Sequence, residues 1–355
     1  MKKFNGIIAV LLAVVLVVGG AIGGYIGYLE LNPLKGETYV DPNGEIEVHF
    51  LELGNKYTGD CTYIKAGETD ILIDAGSRAG SVPTIKAYVD QFCTDGKLEY
   101  VIVTHADQDH IAGFGTGETT DSIFDLYDCE TVITFALTNK DTQVYKNFQR
   151  ELEAEVAAGA THLTAAECIQ QNKALYELSS GVTMKILDQK FYYEKTSDEN
   201  DYSVCALFTC GAENILLTGD LEKDGEESLA ELNELPEVAL FKAGHHGSPT
   251  SSNDVLLSEI KPKTVCVCCC AGSDEYTDNP ANQFPSQAMI DRVAPYTDAV
   301  YVTTMVDGEG FKSMNGCIKV LVNQSGVTVT CTANNVKLKD TDWFKASRSC
   351  PDAWK

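Results

Sequence analysis

Residues 101–113, Val-Ile-Val-Thr-His-Ala-Asp-Gln-Asp-His-Ile-Ala-Gly, constrain this chain more than any other stretch. An apolar run that reads as a short strand opens directly onto His105, Asp107, Asp109 and His110, four potential metal ligands within six residues. On an extended loop the alternate residues His105, Asp107 and Asp109 point to one side, and His110 turns in beside them as the next helix begins. Two acids and one histidine would ordinarily read as a solvated loop that caps a helix. Four ligands in this register point instead to nitrogen and carboxylate donors converging on Zn²⁺ or Mn²⁺.

Two further strand ends supply what that loop lacks. Asn214-Ile-Leu-Leu-Thr-Gly-Asp220 places one carboxylate at a strand end, where it would bridge two ions. Alone it is an everyday Gly-Asp turn. Phe241-Lys-Ala-Gly-His-His-Gly-Ser248 delivers His245 and His246 from another strand end, and adjacent histidines in a chain with only six are hard to explain by packing. His49 and His162 lie outside any such cluster and read as ordinary core or surface histidines.

Around these motifs the chain alternates short strand-like runs with helical stretches. An antiparallel meander is expected over residues 46–51, 61–65 and 70–73, a helix over 84–92, and a strand over 100–103. Residues 138–178 carry helical patterning, including a capping box of Thr164 with Glu167, and read as an insertion. Strands resume at 183–187, 204–209, 215–217, 239–241, 264–268, 299–302, 318–322 and 327–331. Helical stretches near 225–234, 254–260 and 286–293 lie between them, and the order suits two packed sheets flanked by helices.

Taken in this order, His105-x-Asp107-x-Asp109-His110, Thr218-Gly-Asp220 and His245-His246-Gly-Ser248 resemble the metallo-β-lactamase superfamily. Within it they are most similar to the hydrolase domain of ComEC-type competence proteins and to the related surface phosphorylcholine esterases. Leu51-Glu-Leu-Gly-Asn55 through Gly59-Asp60 resembles the opening Asp-x-Gly-Gln-Gly-Asp segment of that family, and Leu72-Ile-Asp-Ala-Gly76 its next strand and turn. The resemblance implies a four-layer αββα sandwich over residues 45–332. It also implies a two-ion site, Zn or Mn: Asp109, His110, Asp220 and His246 on one ion, His105, Asp107 and Asp220 on the other. His246 is preferred to His245 as ligand because it directly precedes Gly247; His245 and Asp109 are the expected catalytic residues, Asp109 as anchor of the nucleophilic water. Two dications, three carboxylates and one hydroxide sum to zero, so a phosphodiester meets no strong repulsion at the site itself.

The chain also departs from the family pattern. Asp107 stands where the commoner loop has histidine, and the usual third histidine is absent, its region being Asn200-Asp-Tyr-Ser203. Ser203 and Ser248 are expected near the site. The opening motif has Glu52 in place of aspartate and carries three extra residues, Lys56-Tyr-Thr58.

Compartment and partners follow from composition. Residues 4–29 contain no charge, Lys2 and Lys3 precede them and Glu30 follows, long enough to span a bilayer at ~1.5 Å per residue. An uncleaved single-pass anchor over residues 1–30, a linker over 31–44, an extracytoplasmic hydrolase domain and a C-terminal tail over 333–355 are therefore expected. A cleaved signal peptide is the competing reading, disfavoured because its apolar core runs only ~7–15 residues. Of thirteen cysteines, Cys266, Cys268, Cys269 and Cys270 fall in one apolar run and read as small core hydrophobes.

The net charge of −25 disfavours loose nucleic-acid binding, because phosphate contacts need Lys and Arg. The expected function is metal-dependent phosphodiester hydrolysis at the cell membrane, on a cell-wall polymer or nucleic acid, with a small or zwitterionic diester favoured by charge. The alternatives are a non-catalytic metal-binding module of the same fold and a nuclease assisting DNA uptake. A basic groove built from Lys242, Lys261, Lys263 and Lys312 would reverse the charge argument.

Overall fold

A computed structural model describes residues 44–117 and 120–355. The expected anchor over residues 1–30, and the linker up to residue 43, lie outside the described residues. Among the described residues no helix is long and apolar enough to cross a membrane.

Six strands, β1 (Glu45–Phe50), β2 (Thr62–Ala66), β3 (Thr69–Ile73), β4 (Lys97–Val103), β5 (Asp128–Thr134) and β6 (Thr161–Thr164), build the first sheet in chain order. The next eight, β7 (Leu175–Ser179), β8 (Val182–Ile186), β9 (Ala206–Cys210), β10 (Glu213–Leu217), β11 (Leu240–Lys242), β12 (Val265–Ala271), β13 (Val300–Asp307) and β14 (Gly310–Ser313), build the second, also in order. The hairpin of β15 (Ile318–Asn323) and β16 (Gly326–Cys331) then returns to the first sheet beside β1. Each sheet has an antiparallel part and a parallel part, the latter being β3 through β6 and β10 through β13.

The period-two rule of strands explains how the sheets stack. In β12, Cys266 and Cys268 join the core between the sheets, together with Phe208, Ile215, Leu217 and the β15 residues Ile318, Val320 and Val322. Val265, Val267, Cys269 and Ala271 point the other way, into a second core. There they meet Leu229, Leu256, Leu257, Met289 and Ile290 from the helices Lys223–Leu232, Asp254–Ile260 and Gln287–Val293. A strand buried on both faces must be apolar throughout, which accounts for the cysteine-rich run. All thirteen cysteines are unpaired thiols, eleven of them buried.

The helices Val82–Val89, Ile123–Leu126 and Gln143–Ala158 serve the first sheet. His49 of β1 stacks edge-on with Tyr88 and Phe92 at 5.7 and 4.5 Å. It also bonds Tyr88 Oη and Glu47, while His162 bonds Thr134 Oγ1, so both histidines are structural.

Three segments differ from the sequence reading. The helical insertion expected over 138–178 holds, besides the helices Gln143–Ala158 and Ala165–Gln170, the edge strands β6 and β7, whose short alternating patterns are weak signals beside the helices. The capping box of Thr164 with Glu167 is present. The β5 strand and β14 went unread, and the strand expected over 299–302 runs on to Asp307 as β13. The chain end beyond residue 332 is packed rather than a tail: the helix Asp342–Ser347 and the turn Asp352–Trp354 bury Trp343, Phe344 and Trp354 in the second core. The signal was the aromatic content of an otherwise polar stretch.

Phe344 is 2% exposed, and Phe344→Ala is expected to cost about 3–5 kcal/mol. A urea unfolding midpoint unchanged from wild type would show that the C-terminal turn only rests on the domain.

Candidate metal centre

The parallel strands of both sheets end at one rim, and every residue of the centre leaves such an end. Asp74 follows β3, His105 to His110 follow β4, Asp220 follows β10, and His245 and His246 follow β11; Asp60 enters at the same rim, just ahead of β2. Crevices outside the carboxyl ends of parallel strands are where open α/β folds bind ligands.

Backbone bonds lace these turns together. Asp60 N–H donates to the Asp109 carbonyl at 3.0 Å, Gly76 N–H to Asp60 at 2.8 Å, and Ala75 N–H to His110 at 2.8 Å. The approach is so close that a Cβ on Gly76 would lie 1.4 Å from the Asp109 carbonyl oxygen. Gly219, at φ +55°, is needed likewise, since a Cβ there would meet Ser203 Oγ and Thr104 Cβ inside 3.0 Å. His245 and His246 both adopt left-handed φ, +44° and +54°, a conformation that costs about 1–2 kcal/mol per non-glycine residue. Glu226 and Arg292 hold the segment directly after that turn. Glu226 accepts Ser252 N–H at 2.6 Å and Asn253 N–H at 2.8 Å, and Arg292 donates to the carbonyls of Pro249, Ser251 and Ser252.

Each of three imidazoles is anchored through Nδ1. His110 Nδ1 donates to Asp74 Oδ2 at 2.7 Å, and Asp74 is itself held by Thr104 N–H and Oγ1. His246 Nδ1 donates to the Cys268 carbonyl at 2.9 Å. His105 Nδ1 lies 3.1 Å from Thr104 Oγ1 and 3.4 Å from Ser203 Oγ.

The opposite ring atoms, Nε2 of His105, His110 and His246, are buried without a hydrogen-bond partner, as are Asp220 Oδ1 and both carboxylate oxygens of Asp60. His110 Nε2 and His246 Nε2 stand 3.1 and 3.0 Å from Asp220 Oδ2, and Asp109 Oδ2 is 3.3 Å from His246 Nε2. Buried polar atoms are almost always paired, so this orphaned set fits a cation. Nδ1 anchoring with Nε2 turned inward is the arrangement seen around protein-bound metals.

The electrostatics agree. Burial lowers the His110 and His246 pKa values, but the Asp220 carboxylate, joined by Asp74 and Asp60 respectively, outweighs it and holds both rings well above the ordinary imidazole range. Burial and the adjoining His110 charge push His105 down to about 4, leaving it a neutral donor. Asp109 and Asp220 are buried, which alone would raise them, yet the neighbouring imidazoles hold both well below the carboxylate range.

The ligand atoms of Asp60, His110, Asp220 and His246 all lie within 4.8 Å of one another, a buried cluster compatible with a divalent ion. Asp60, however, touches the backs of the rings: its Oδ1 is 3.2 Å from His246 Nδ1 and its Oδ2 3.9 Å from His110 Nδ1. Its main partner is the buried Lys242, at 2.5 Å. We therefore assign Asp60 and Lys242 to the support of the ligands.

Asp107 sits at the rim, 3.7 Å from His105 Nε2 and paired with Lys140. His245 lies at the mouth, its Nδ1 2.9 Å from Glu222 Oε1; burial would raise Glu222, but that bond and Thr250 bring it down to about 2. Ser203 accepts Asp220 N–H and Ser248 bonds Thr250, while Asn200 lines the cleft, a cavity of about 540 Å³. Sequence reading missed Asp74, Asp60, Lys242 and Tyr276 as site residues; Tyr276 donates to Asp109 Oδ2 at 2.6 Å. Asp60 and Asp74 stood in quoted motifs, whereas nothing local marked Tyr276.

The supposed basic groove is absent from these positions. Lys242 is buried, Lys261 and Lys263 pair with Glu237 and Glu213, and Lys312 pairs with Asp307. Lys263 N–H bonds Val238, at the far end of β11 from Lys242.

Residues 54–116 match the profile of the metallo-beta-lactamase superfamily. The chain is similar to ComE operon protein 3 of Bacillus subtilis, 26% identical over 178 residues, or 48% of this chain and 20% of that protein. It is similar to Recombination protein 2 of Haemophilus influenzae, 27% identical over 265 residues, or 74% of this chain and 28% of that one. Competence protein ComA of Neisseria gonorrhoeae is 25% identical over 260 residues, or 71% of this chain and 30% of that one. The chain thus spans less than a third of the length of the curated relatives it matches. Among solved structures it is similar to the metallo-beta-lactamase fold protein YhfI of Bacillus subtilis, at 11% identity and TM-score 0.43, covering 74% of this chain and 97% of that one.

Two outcomes are expected. Lys242→Met leaves Asp60 buried and unpaired, which should cost about 3–5 kcal/mol and weaken metal uptake roughly 10- to 100-fold; wild-type melting and metal titration would remove the supporting role. Burial pushes the Glu226 carboxyl from its ordinary 4.5 up to about 7, against its hydrogen bonds. A raised carboxyl stabilises the fold fully below its unfolded pKa, and that contribution is lost as pH rises through the folded value. Unfolding free energy should therefore fall between about pH 4.5 and 7, and Glu226→Gln should flatten that slope; an unaltered slope would place its origin elsewhere.

Proposed function

We propose, because residues 54–116 match the metallo-beta-lactamase superfamily profile and the domain holds a buried His/Asp cluster fit for a divalent ion, that the chain is a metal-dependent phosphodiesterase acting on DNA during its uptake. The hydrolase part is carried by one observation, the convergence of the partnerless Nε2 atoms of His110 and His246 on Asp220. The DNA part is supported by the relatives, two of which are named for competence and recombination. In this reading residues 4–29 hold the domain at the outer face of the cytoplasmic membrane.

The reading takes two ions, Zn²⁺ or Mn²⁺: Asp109, His110, Asp220 and His246 at one, His105, Asp107 and Asp220 at the other. Such ions, when bound, lower the pKa of a shared water toward neutrality and stabilise charge developing on phosphoryl oxygens. The chain's own residues do the rest. Asp74 and the Cys268 carbonyl keep the Nε2 lone pairs aimed into the cleft. Tyr276 and His245 stand over it with groups that can meet a substrate oxygen, and Arg78 brings a guanidinium to its wall.

A second reading, a small or zwitterionic diester as substrate, is favoured by the acidic wall, where Asp107, Asp109, Asp220 and Glu275 face a single arginine. Metal analysis and turnover of the purified full-length chain decide between them. Two ions per chain with hydrolysis of both DNA and bis(4-nitrophenyl) phosphate are expected, and DNA cleavage should rise with salt as repulsion is screened over ~10 Å. Hydrolysis of the small diester alone would move the substrate to the second reading, and one inert ion would make the domain a binding module. Asp109→Ala should lose several orders of magnitude in rate while His162→Ala keeps wild-type turnover; an active, metal-replete Asp109→Ala would refute the site.

A further inference from the structure

The three extra residues of the opening motif, Lys56-Tyr57-Thr58, take no part in the chemistry above. They lie against the loop that follows β12, at the mouth of the cleft. Thr58 N–H donates to Glu275 Oε2 at 2.9 Å. Arg78 ties the two segments together, its guanidinium 4.1 Å above the Tyr57 ring and 2.7 Å from Glu275 Oε1. Beside Glu275, Tyr276 leans over the metal loop through its bond to Asp109 and rests against Phe284, ring centroids 5.5 Å apart.

Both tyrosines nevertheless stay open to solvent, Tyr57 39% and Tyr276 50% exposed. Among the described residues Tyr193 is the only other exposed large aromatic. Of these, Tyr276 lines the cleft and Tyr57 stacks on Arg78, another of its lining residues.

Among the described residues a nucleic-acid strand finds one free cation here, the exposed Lys56, since Arg78 is paired with Glu275, Lys140 with Asp107, and Lys242 is buried with Asp60. Affinity from counterion release needs several unpaired Lys and Arg, and one lysine supplies little of it, so most of the hold on the strand must come from something other than its phosphates. Aromatic faces hold unpaired bases without regard to sequence, and a guanidinium stacked on a ring extends such a platform.

We propose that Tyr276 and the Arg78–Tyr57 stack form a subsite for unpaired nucleobases beside the scissile phosphodiester, an inference that rests on the DNA reading above. The base next to the scissile phosphate lies on Tyr276, whose hydroxyl already reaches the metal loop. A base further along reaches the Arg78–Tyr57 stack. Paired bases in a duplex hide their faces, so the subsite selects single strands.

The test is fluorescence anisotropy with the full-length protein, comparing a labelled oligothymidylate with an abasic oligomer of equal length and charge. The oligothymidylate should bind roughly ten-fold more tightly. Tyr57→Ala and Tyr276→Ala should each remove most of that difference, and Tyr276→Phe should keep it. Equal affinity of wild type for the two oligomers, or a difference that survives both alanine substitutions, would overturn the subsite. Turnover of bis(4-nitrophenyl) phosphate by the same preparation separates this inference from the function on which it rests. Turnover with equal binding overturns the subsite and leaves the hydrolase; base-dependent binding without turnover supports the subsite and removes the hydrolase.

Discussion

Everything at the rim of this protein depends on the neutralisation of four carboxylates, Asp60, Asp74, Asp109 and Asp220, buried within reach of one another. Taking even one such ion out of water costs several kcal/mol after relaxation. Lys242 supplies one compensating charge, to Asp60 and at 3.6 Å to Asp220. The remainder must come from protons on His110 and His246 or from a bound cation, and both occupy the same place, between Nε2 and the Asp220 oxygen. Proton and metal therefore compete for these rings, and metal uptake should release protons.

That constraint explains the architecture of the turns. The Gly76 and Gly219 approaches and the left-handed His245 and His246 are strained or crowded choices that a chain free to relax would avoid. They persist because the surrounding bonds over-determine them, and strain held this way gathers at functional sites. Glu226 and Arg292, remote from the chemistry, matter because they fasten residues 249–253, the segment directly after the turn that carries His246.

The mouth of the cleft follows a different logic from its floor. The floor is buried and charged; the mouth pairs Arg78 and Lys140 with acids and leaves two aromatic rings exposed. On the proposed reading this division suits an acidic chain, because the floor would meet only the scissile group while neutral rings hold the strand.

Much of this was legible before any coordinates, for a physical reason. His105, Asp107, Asp109 and His110 lie within six residues on a strand end, so their spacing alone marks them, whereas Asp220 and His246, which each follow an apolar run, were singled out as ligands only by the family resemblance. The buried Cys266 to Cys270 strand was readable in the same way, from an unbroken apolar run. Local pattern is silent on which strand ends meet. Asp60 and Asp74 became supports of the histidine rings, and Lys242 became the buried counter-charge rather than part of a basic groove, only when both sheets brought their parallel ends to one rim. Tyr276, 167 residues from Asp109, and the packed aromatic chain end belong to the same class. The sequence by itself determined the donor-type side chains and the strand ends that carry them, because those are properties of neighbouring residues. Partner, burial and charge state were decided by the tertiary structure alone, because each depends on groups that the chain brings together only by folding.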